Sequence, residues 1–251
     1  MDLTGHHALV TGGGSGIGLA IARAMGNAGA EVTITGRRAA ALEEAAAHPR
    51  LHAAVADVLD EAALDAAVDA AVAARGPLSI CIANAGIAEG RALHKTDLAE
   101  WRRMLGTNLD GAFLTIRAAL RTMRGRDWGR VIAVASVAGL KGLKGAPAYT
   151  ASKHGMVGLV RGLAADYAGS GITFNALCPG YVATEIVTRN TAAISARAGV
   201  SQAEAEAMMV QVNPHKRLVT AEEVAAAAMW LCGPGSGSVN GQAIEISGGQ
   251  A

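Results

Sequence analysis

The sequence predicts an α/β chain: a doubly wound parallel sheet of about seven strands with helices on both faces. Three observations carry this. Short apolar runs alternate with helix-length amphipathic segments from end to end, the pattern of a parallel sheet covered on both sides. The first apolar run leads straight into a glycine cluster and then into a helical stripe. Hydrophobic residues make up 51% of the 251 residues and charged residues 17%, which is ample material for one large core. No linker and no repeat of roughly 20 to 50 residues divides the chain, so residues 1–251 read as one domain.

Strands are predicted, in order, at His7 to Thr11, Glu31 to Thr35, Leu51 to Ala56, Leu78 to Ala83, Arg130 to Ala135, Thr173 to Leu177 and Ala243 to Ile246. Each is a short apolar run bounded by turn residues. Between them, helical spacing is predicted near residues 17–28, 38–47, 60–74, 97–123, 148–168 and 220–231, with Gly29, Gly76-Pro77 and Gly169 to Gly171 as stops. Residues 185–216 break the alternation with one or two short helices before Asn213-Pro214. That stretch reads as a lid over a site or as a surface excursion.

Composition excludes several functions. Lys plus Arg number 22 and Asp plus Glu 21, leaving no electrostatic footprint for nucleic acid or an anionic membrane. Aromatics are 3%, too few for a stacking surface. Cys81, Cys178 and Cys232 are far apart and show no metal-ligand spacing. They read as reduced core residues, and no metal is expected. The first residues lack the features of a signal peptide, and no stretch reaches the roughly 20 apolar residues of a membrane span. The expected setting is the cytoplasm.

The run Ala8-Leu9-Val10 enters Thr11-Gly12-Gly13-Gly14-Ser15-Gly16-Ile17-Gly18 and then the stripe Leu19, Ala20, Ala24. This is strand, glycine turn, helix. Glycines let the backbone turn tightly and approach a pyrophosphate, whose charge meets free N–H groups at the positive helix end. Such a turn after the first strand is the Rossmann-type dinucleotide arrangement.

The spacing Thr11-Gly12, Gly16, Gly18 resembles the short-chain dehydrogenase/reductase family. So does the series Asp57-Val58, Asn84-Ala85-Gly86, Asn108, Ser136, Tyr149-x-x-x-Lys153 and Pro179-Gly180, and the likeness spans essentially the whole chain. Ala83 departs from it, standing where many members carry a second Asn. The resemblance implies a cofactor site built from Gly12, Ser15, Gly16, Ile17, Gly18, Asp57, Val58, Asn84, Ala85 and Gly86. In it Asp57 would hold the adenine amino group; read alone, Asp57 is also a candidate helix N-cap. Pro179, Gly180, Val182 and Thr184 resemble the segment that binds the nicotinamide carboxamide. The family also implies a homotetramer or homodimer.

The end of strand two decides between NAD(H) and NADP(H), because an acid there binds the ribose 2′-hydroxyl. This chain has Gly36-Arg37-Arg38 and no acid. Arginine instead grips a 2′-phosphate, so NADP(H) is favoured over NAD(H). Ser15 stands where many NADP-using members have a second basic residue, which keeps NAD(H) open. The bland reading of Arg37 and Arg38 is a solvated pair opening the next helix.

Ser136 ends the fifth apolar run, where open parallel sheets bind ligands. Tyr149 and Lys153 are four apart, hence on one helix face. A free tyrosine titrates near pH 10, far from neutrality, and an adjacent ammonium lowers that value. The expected chemistry is a ketone oxygen that accepts a hydrogen bond from Ser136 and a proton from Tyr149 as hydride arrives. Lys153, by resemblance, also binds the nicotinamide ribose. Asn108 falls within the apolar stripe Met104, Leu105, Ala112 and Phe113, and a buried amide needs partners. In the family the matching Asn interrupts the helix and holds a proton-relay water.

The expected substrate is a small-molecule secondary alcohol or ketone, with 3-oxoacyl thioesters first. Free 3-hydroxy acids fit less well, because Ala88, Ala138 and Ala146 replace polar residues of the hydroxybutyrate dehydrogenases. Lys141 and Lys144 are candidates for an anionic carrier or a solvated loop. Ile186, Val187, Met208, Met209 and Val212 are expected to cover the substrate or to meet a neighbouring subunit. A catalytically silent cofactor-binding subunit and a sugar-nucleotide epimerase remain as rival readings. The first would not need the four candidate catalytic residues together, and the second usually adds a C-terminal domain.

Overall fold

The computed structural model describes residues 1–250; the side chains of residues 186, 189, 190, 193, 194, 197, 198 and 212 lie outside the described set. Along the chain run β1 (His7–Thr11), α1 (Gly16–Asn27), β2 (Glu31–Gly36), α2 (Ala39–Ala45), β3 (Leu51–Val55), α3 (Glu61–Arg75), β4 (Ile80–Ala83), α4 (Leu98–Leu105), α5 (Gly111–Met123), β5 (Gly129–Val134), α6 (Pro147–Asp166), β6 (Ile172–Pro179), α7 (Glu185–Ala198), α8 (Gln202–Val212), α9 (Ala221–Cys232) and β7 (Ala243–Ile246). The seven strands form one parallel sheet in the order β3-β2-β1-β4-β5-β6-β7. Strand order reverses between β1 and β4, and the crevice beyond their carboxyl ends is where such sheets take ligands.

Alternation along each strand sorts side chains between two cores. Ala8, Val10, Ile80, Ile82, Ile132 and Val134 pack with Ile21, Met25 and Leu231 of α1 and α9. Their neighbours Leu9, Cys81, Val131, Ala133, Phe174 and Cys178 pack with Val68, Ile116 and Val157 of α3, α5 and α6 on the other face. All three cysteines are free and buried, as their apolar surroundings predict. Burial raises the Cys81 and Cys232 thiols to about 12.

Element bounds lie within two residues of the expected ones, except in the expected helix over 97–123. β4 begins at Ile80 rather than Leu78, because Leu78 N–H donates to Thr122 Oγ1 at 3.3 Å and so leaves the strand path. The expected helix over 97–123 is two helices, α4 and α5, joined by a π-helical turn over Gly106–Asp110. Gly106 and Gly111 bracket this turn, and the widened turn holds Asn108, which bonds outside its own helix. The segment expected to form a lid or a surface excursion folds as the helix pair α7 and α8. No helix among the described residues is long and apolar enough to cross a membrane.

Candidate active site

A cleft of about 360 Å³ lies over the carboxyl ends of β1, β2 and β4. Gly12, Ser15, Gly16, Ile17, Arg37, Arg38, Asp57, Val58, Asn84, Ala85, Gly86, Tyr149, Lys153 and Thr184 all line it. The other expected site residues do not line it: Gly18 and Asn108 are buried, and Ser136, Pro179, Gly180 and Val182 lie at or just after the carboxyl ends of β5 and β6. Ala56, Ile87, Thr107 and Glu185 also line it, and the sequence reading did not single them out.

The glycine turn is built around Asn84. Its Nδ2 donates to Thr11 O at 2.9 Å and to Gly12 O at 3.3 Å, while Thr11 Oγ1 accepts from the Asn84 and Ala85 N–H groups at 3.1 and 3.2 Å. Two glycines make this fit possible. Gly12 has φ +66°, and a Cβ on it would meet Asn84 Nδ2 at 2.9 Å. A Cβ on Gly18 would stand 2.4 Å from Gly12 O. No side chain caps α1 and no acid occupies its first turn, which leaves this helix end to an anion. The turn therefore suits a dinucleotide pyrophosphate. Thr184 faces it across the cleft, with its Cγ2 placed 3.3 Å from where a Gly16 Cβ would be.

Beyond β2 both arginines have carboxylate neighbours. Arg37 Nη1 lies 3.8 Å from Asp57 Oδ2, and Arg38 Nη2 contacts Glu185 Oε2 at 3.3 Å and donates to Ser15 Oγ at 2.9 Å. All four side chains remain exposed, so these are solvent-screened ion pairs. Asp57 is not the cap of α3; that role belongs to Asp60, whose carboxylate accepts from Ala63 N–H at 3.0 Å.

At the other end, Ser136 follows β5 and is 7% exposed. Pro147 opens α6 and sends Tyr149 and Lys153 toward Ser136 and β5. Lys153 is 5% exposed, and its Nζ donates to Val134 O at 2.8 Å. Burial lowers this ammonium to about 8, partly opposed by Cys178. Burial raises Tyr149, and hydrogen bonding with Ser136 opposes that rise. This runs against the expectation that the adjacent Lys153 ammonium lowers the tyrosine. Lys153 Nζ sits 5.8 Å from the Tyr149 ring centroid and is directed at Val134 O, so loss of water outweighs it.

Asn108 is fully buried. Its Oδ1 accepts from Ile87 N–H at 2.8 Å, and its Nδ2 donates to Ile87 O and to Ser152 Oγ at 3.0 Å each. These partners answer the question the sequence raised about a buried amide. In the α7 and α8 pair, Val187 and Met209 are buried and Met208 is exposed. Thr191 Oγ1 reaches Met209 Sδ at 3.4 Å, so Met209 packs inside the helix pair. The Ile186 and Val212 side chains lie outside the described residues. Lys141 Nζ donates to Gln250 O, which ties the loop after Ser136 to the C-terminal segment.

The short chain dehydrogenase model matches residues 6–195. The chain is 33% identical to a D-beta-hydroxybutyrate dehydrogenase of Rhizobium meliloti (strain 1021), covering 96% of this chain and 97% of the relative. It is 39% identical to a galactitol 2-dehydrogenase (L-tagatose-forming) of Cereibacter sphaeroides, covering 98% and 95%. A variant of actinorhodin polyketide ketoreductase solved with NADPH superimposes with a TM-score of 0.94 at 35% identity, covering 100% of this chain and 99% of that one. A seven-stranded parallel sheet, a glycine turn fit for a dinucleotide, and whole-length likeness to enzymes of hydroxyl and keto groups lead to one conclusion: the chain belongs to the short-chain dehydrogenase/reductase family and is a nicotinamide-dependent oxidoreductase acting on CH–OH groups.

Proposed function

We propose that the protein reduces ketones to secondary alcohols with NADPH, through Ser136, Tyr149, Lys153 and Asn108. The observation that carries this reading is that Tyr149 and Lys153 line the same cleft as Arg37 and Arg38, with Ser136 in hydrogen-bonding reach of Tyr149. The bound nicotinamide supplies hydride to the carbonyl carbon. Ser136 donates a hydrogen bond to the carbonyl oxygen, and Tyr149 delivers the proton that turns it into a hydroxyl. With its phenol raised by burial, Tyr149 stays protonated at neutral pH, the form an acid needs. Lys153 replenishes that proton, and Asn108 holds the Ile87 backbone beside it. Alcohol oxidation reverses each step.

NADP(H) is favoured because two guanidiniums and no acid follow β2, and paired donors suit a phosphate. In this reading Gly12, Ser15, Gly16, Ile17 and Gly18 hold the pyrophosphate side. Asp57, Val58, Asn84, Ala85 and Gly86 hold the adenosine and central part, and Pro179, Gly180, Val182 and Thr184 hold the nicotinamide. The substrate class is a small ketone, with 3-oxoacyl thioesters first; Ala88 in the cleft wall and buried Ala138 offer no charge to a free carboxylate.

Self-association as a dimer or tetramer is supported by half-exposed Phe113 and Trp230 on α5 and α9. Three buried thiols fit a reducing setting such as the cytoplasm. The test is fluorescence titration with NADPH and NADH, followed by a ketone and alcohol panel read by nicotinamide absorbance. Tighter NADPH binding and ketone turnover are expected. Tighter NADH binding would overturn the cofactor assignment, and an inert panel would overturn the reaction.

A further inference from the structure

Asn213 lies at the return of the lid, after α8, and is fully buried. Its amide treats Tyr181 as the Asn108 amide treats Ile87. Asn213 Oδ1 accepts from Tyr181 N–H at 3.4 Å and its Nδ2 donates to Tyr181 O at 3.3 Å. Each clamped residue follows a glycine whose absent side chain makes room for the amide. A Cβ on Gly86 would lie 3.1 Å from Asn108 Oδ1, and one on Gly180 would lie 2.8 Å from Asn213 Oδ1. Two buried asparagines thus grip the chain just beyond two cleft turns by the same two-point contact.

The grip at Tyr181 is reinforced by its neighbours. Asn213 Nδ2 also donates to Arg217 O at 2.8 Å, Val219 N–H donates to Tyr181 O at 2.8 Å, and Ala183 N–H donates to Val219 O at 2.9 Å. Outgoing and returning ends of the lid are therefore stitched together at its base. Lys216, in the short return, holds φ at +57°, a conformation that a non-glycine residue keeps only when its surroundings impose it.

We propose that Asn213 is a positioning residue that fixes the Pro179–Thr184 segment for the nicotinamide half of the cofactor and couples that segment to the lid. The inference rests on the nicotinamide role proposed above for that segment. Without the clamp, Tyr181 loses both amide contacts and keeps only the Val219 bond, so the segment that carries Thr184 is held less firmly opposite Gly16. The glycine turn, Arg37, Arg38 and Asp57 are held by other contacts and keep the adenosine half.

The test compares calorimetric binding of NADPH with that of 2′-phospho-ADP-ribose, which lacks nicotinamide, in the unaltered protein and in Asn213→Ala. NADH and ADP-ribose serve as a second pair. NADPH binding should weaken about tenfold while 2′-phospho-ADP-ribose stays within about twofold. Equal weakening of both ligands marks a general folding defect and overturns the proposal, as does no change in either. Equal binding of both ligands by the unaltered protein would remove the nicotinamide role of the segment itself, a failure visible before the variant is made. If Asn213→Ala does not fold, Gly180→Ala pushes on Asn213 Oδ1 from the other side and should give the same selective loss; an unselective result overturns the proposal equally.

Discussion

Lys153 Nζ lies 5.8 Å from the Tyr149 ring centroid, one turn along the same helix, and points to the Val134 carbonyl oxygen. Lys153 is buried and Tyr149 half-buried in the wall of the cleft, so each charged form has lost part of its water. Burial pushes the phenol up and the ammonium down to about 8. The sign of the stability effect follows. Between about pH 8 and the ordinary 10.5 the unfolded chain binds more protons at this site than the folded one, so stability rises with pH across that window. Below it the burial penalty is complete and constant. Urea denaturation of the protein and of Lys153→Met, which has no such charge, should show the difference between them shifting in favour of the unaltered protein as pH climbs. A pH-independent difference would contradict the lowered value.

The same shift sets a pH limit on ketone reduction. Tyr149 donates a proton that Lys153 restores, so the reduction rate should fall as pH rises through about 8. Lys153→Arg, whose guanidinium stays charged above pH 12 or so, should lose that limb whatever activity remains. A limb near pH 8 retained in the arginine variant would assign it to another group.

Asn108→Ala removes an amide that satisfies both backbone groups of Ile87 and the Ser152 hydroxyl in a fully buried place. Leaving such groups without partners costs about 2 to 3 kcal/mol, or roughly 4–12 °C in Tm for a domain near this size. Thermal unfolding with and without NADPH checks it. An unshifted Tm would mean that the π-helical turn holds its form without the amide.

Arg38 meets Ser15 and Glu185, and a ribose phosphate would compete with the carboxylate. Both partners are well exposed, so the pair is worth under about 1 kcal/mol. Glu185→Gln should tighten NADPH about two- to threefold and leave NADH unchanged, whereas Arg38→Ala should weaken NADPH alone. Parallel changes for both cofactors would remove Arg38 from phosphate recognition.

Much of this architecture was legible because local chemistry and tertiary demand agree. The boundaries of β1 and β7 match because alternating side chains serve both cores and the flanking residues are polar or glycine. Gly12, Ser15 and Gly16 could be read because only glycine-rich backbone after a first strand makes that turn. Asn213 could not. Its signal is one amide before a proline, and its meaning comes from Tyr181, which is 32 residues away in sequence. The split between α4 and α5 was hidden for a related reason: the apolar stripe runs through it, and the turn is fixed by Ile87 from another element. Glu185 carries no local signal either, since nothing near it in sequence reveals Arg38 facing it.

The account depends most on Tyr149 as the proton donor, and single-turnover oxidation of NADPH by a reducible ketone, comparing the protein with Tyr149→Phe, tests that directly. Because Phe keeps the ring and removes only the hydroxyl, NADPH affinity should stay within about threefold while the rate falls at least a hundredfold, the range ascribed to a positioned acid. A Tyr149→Phe rate within tenfold of the unaltered protein, at equal NADPH occupancy, would contradict the account.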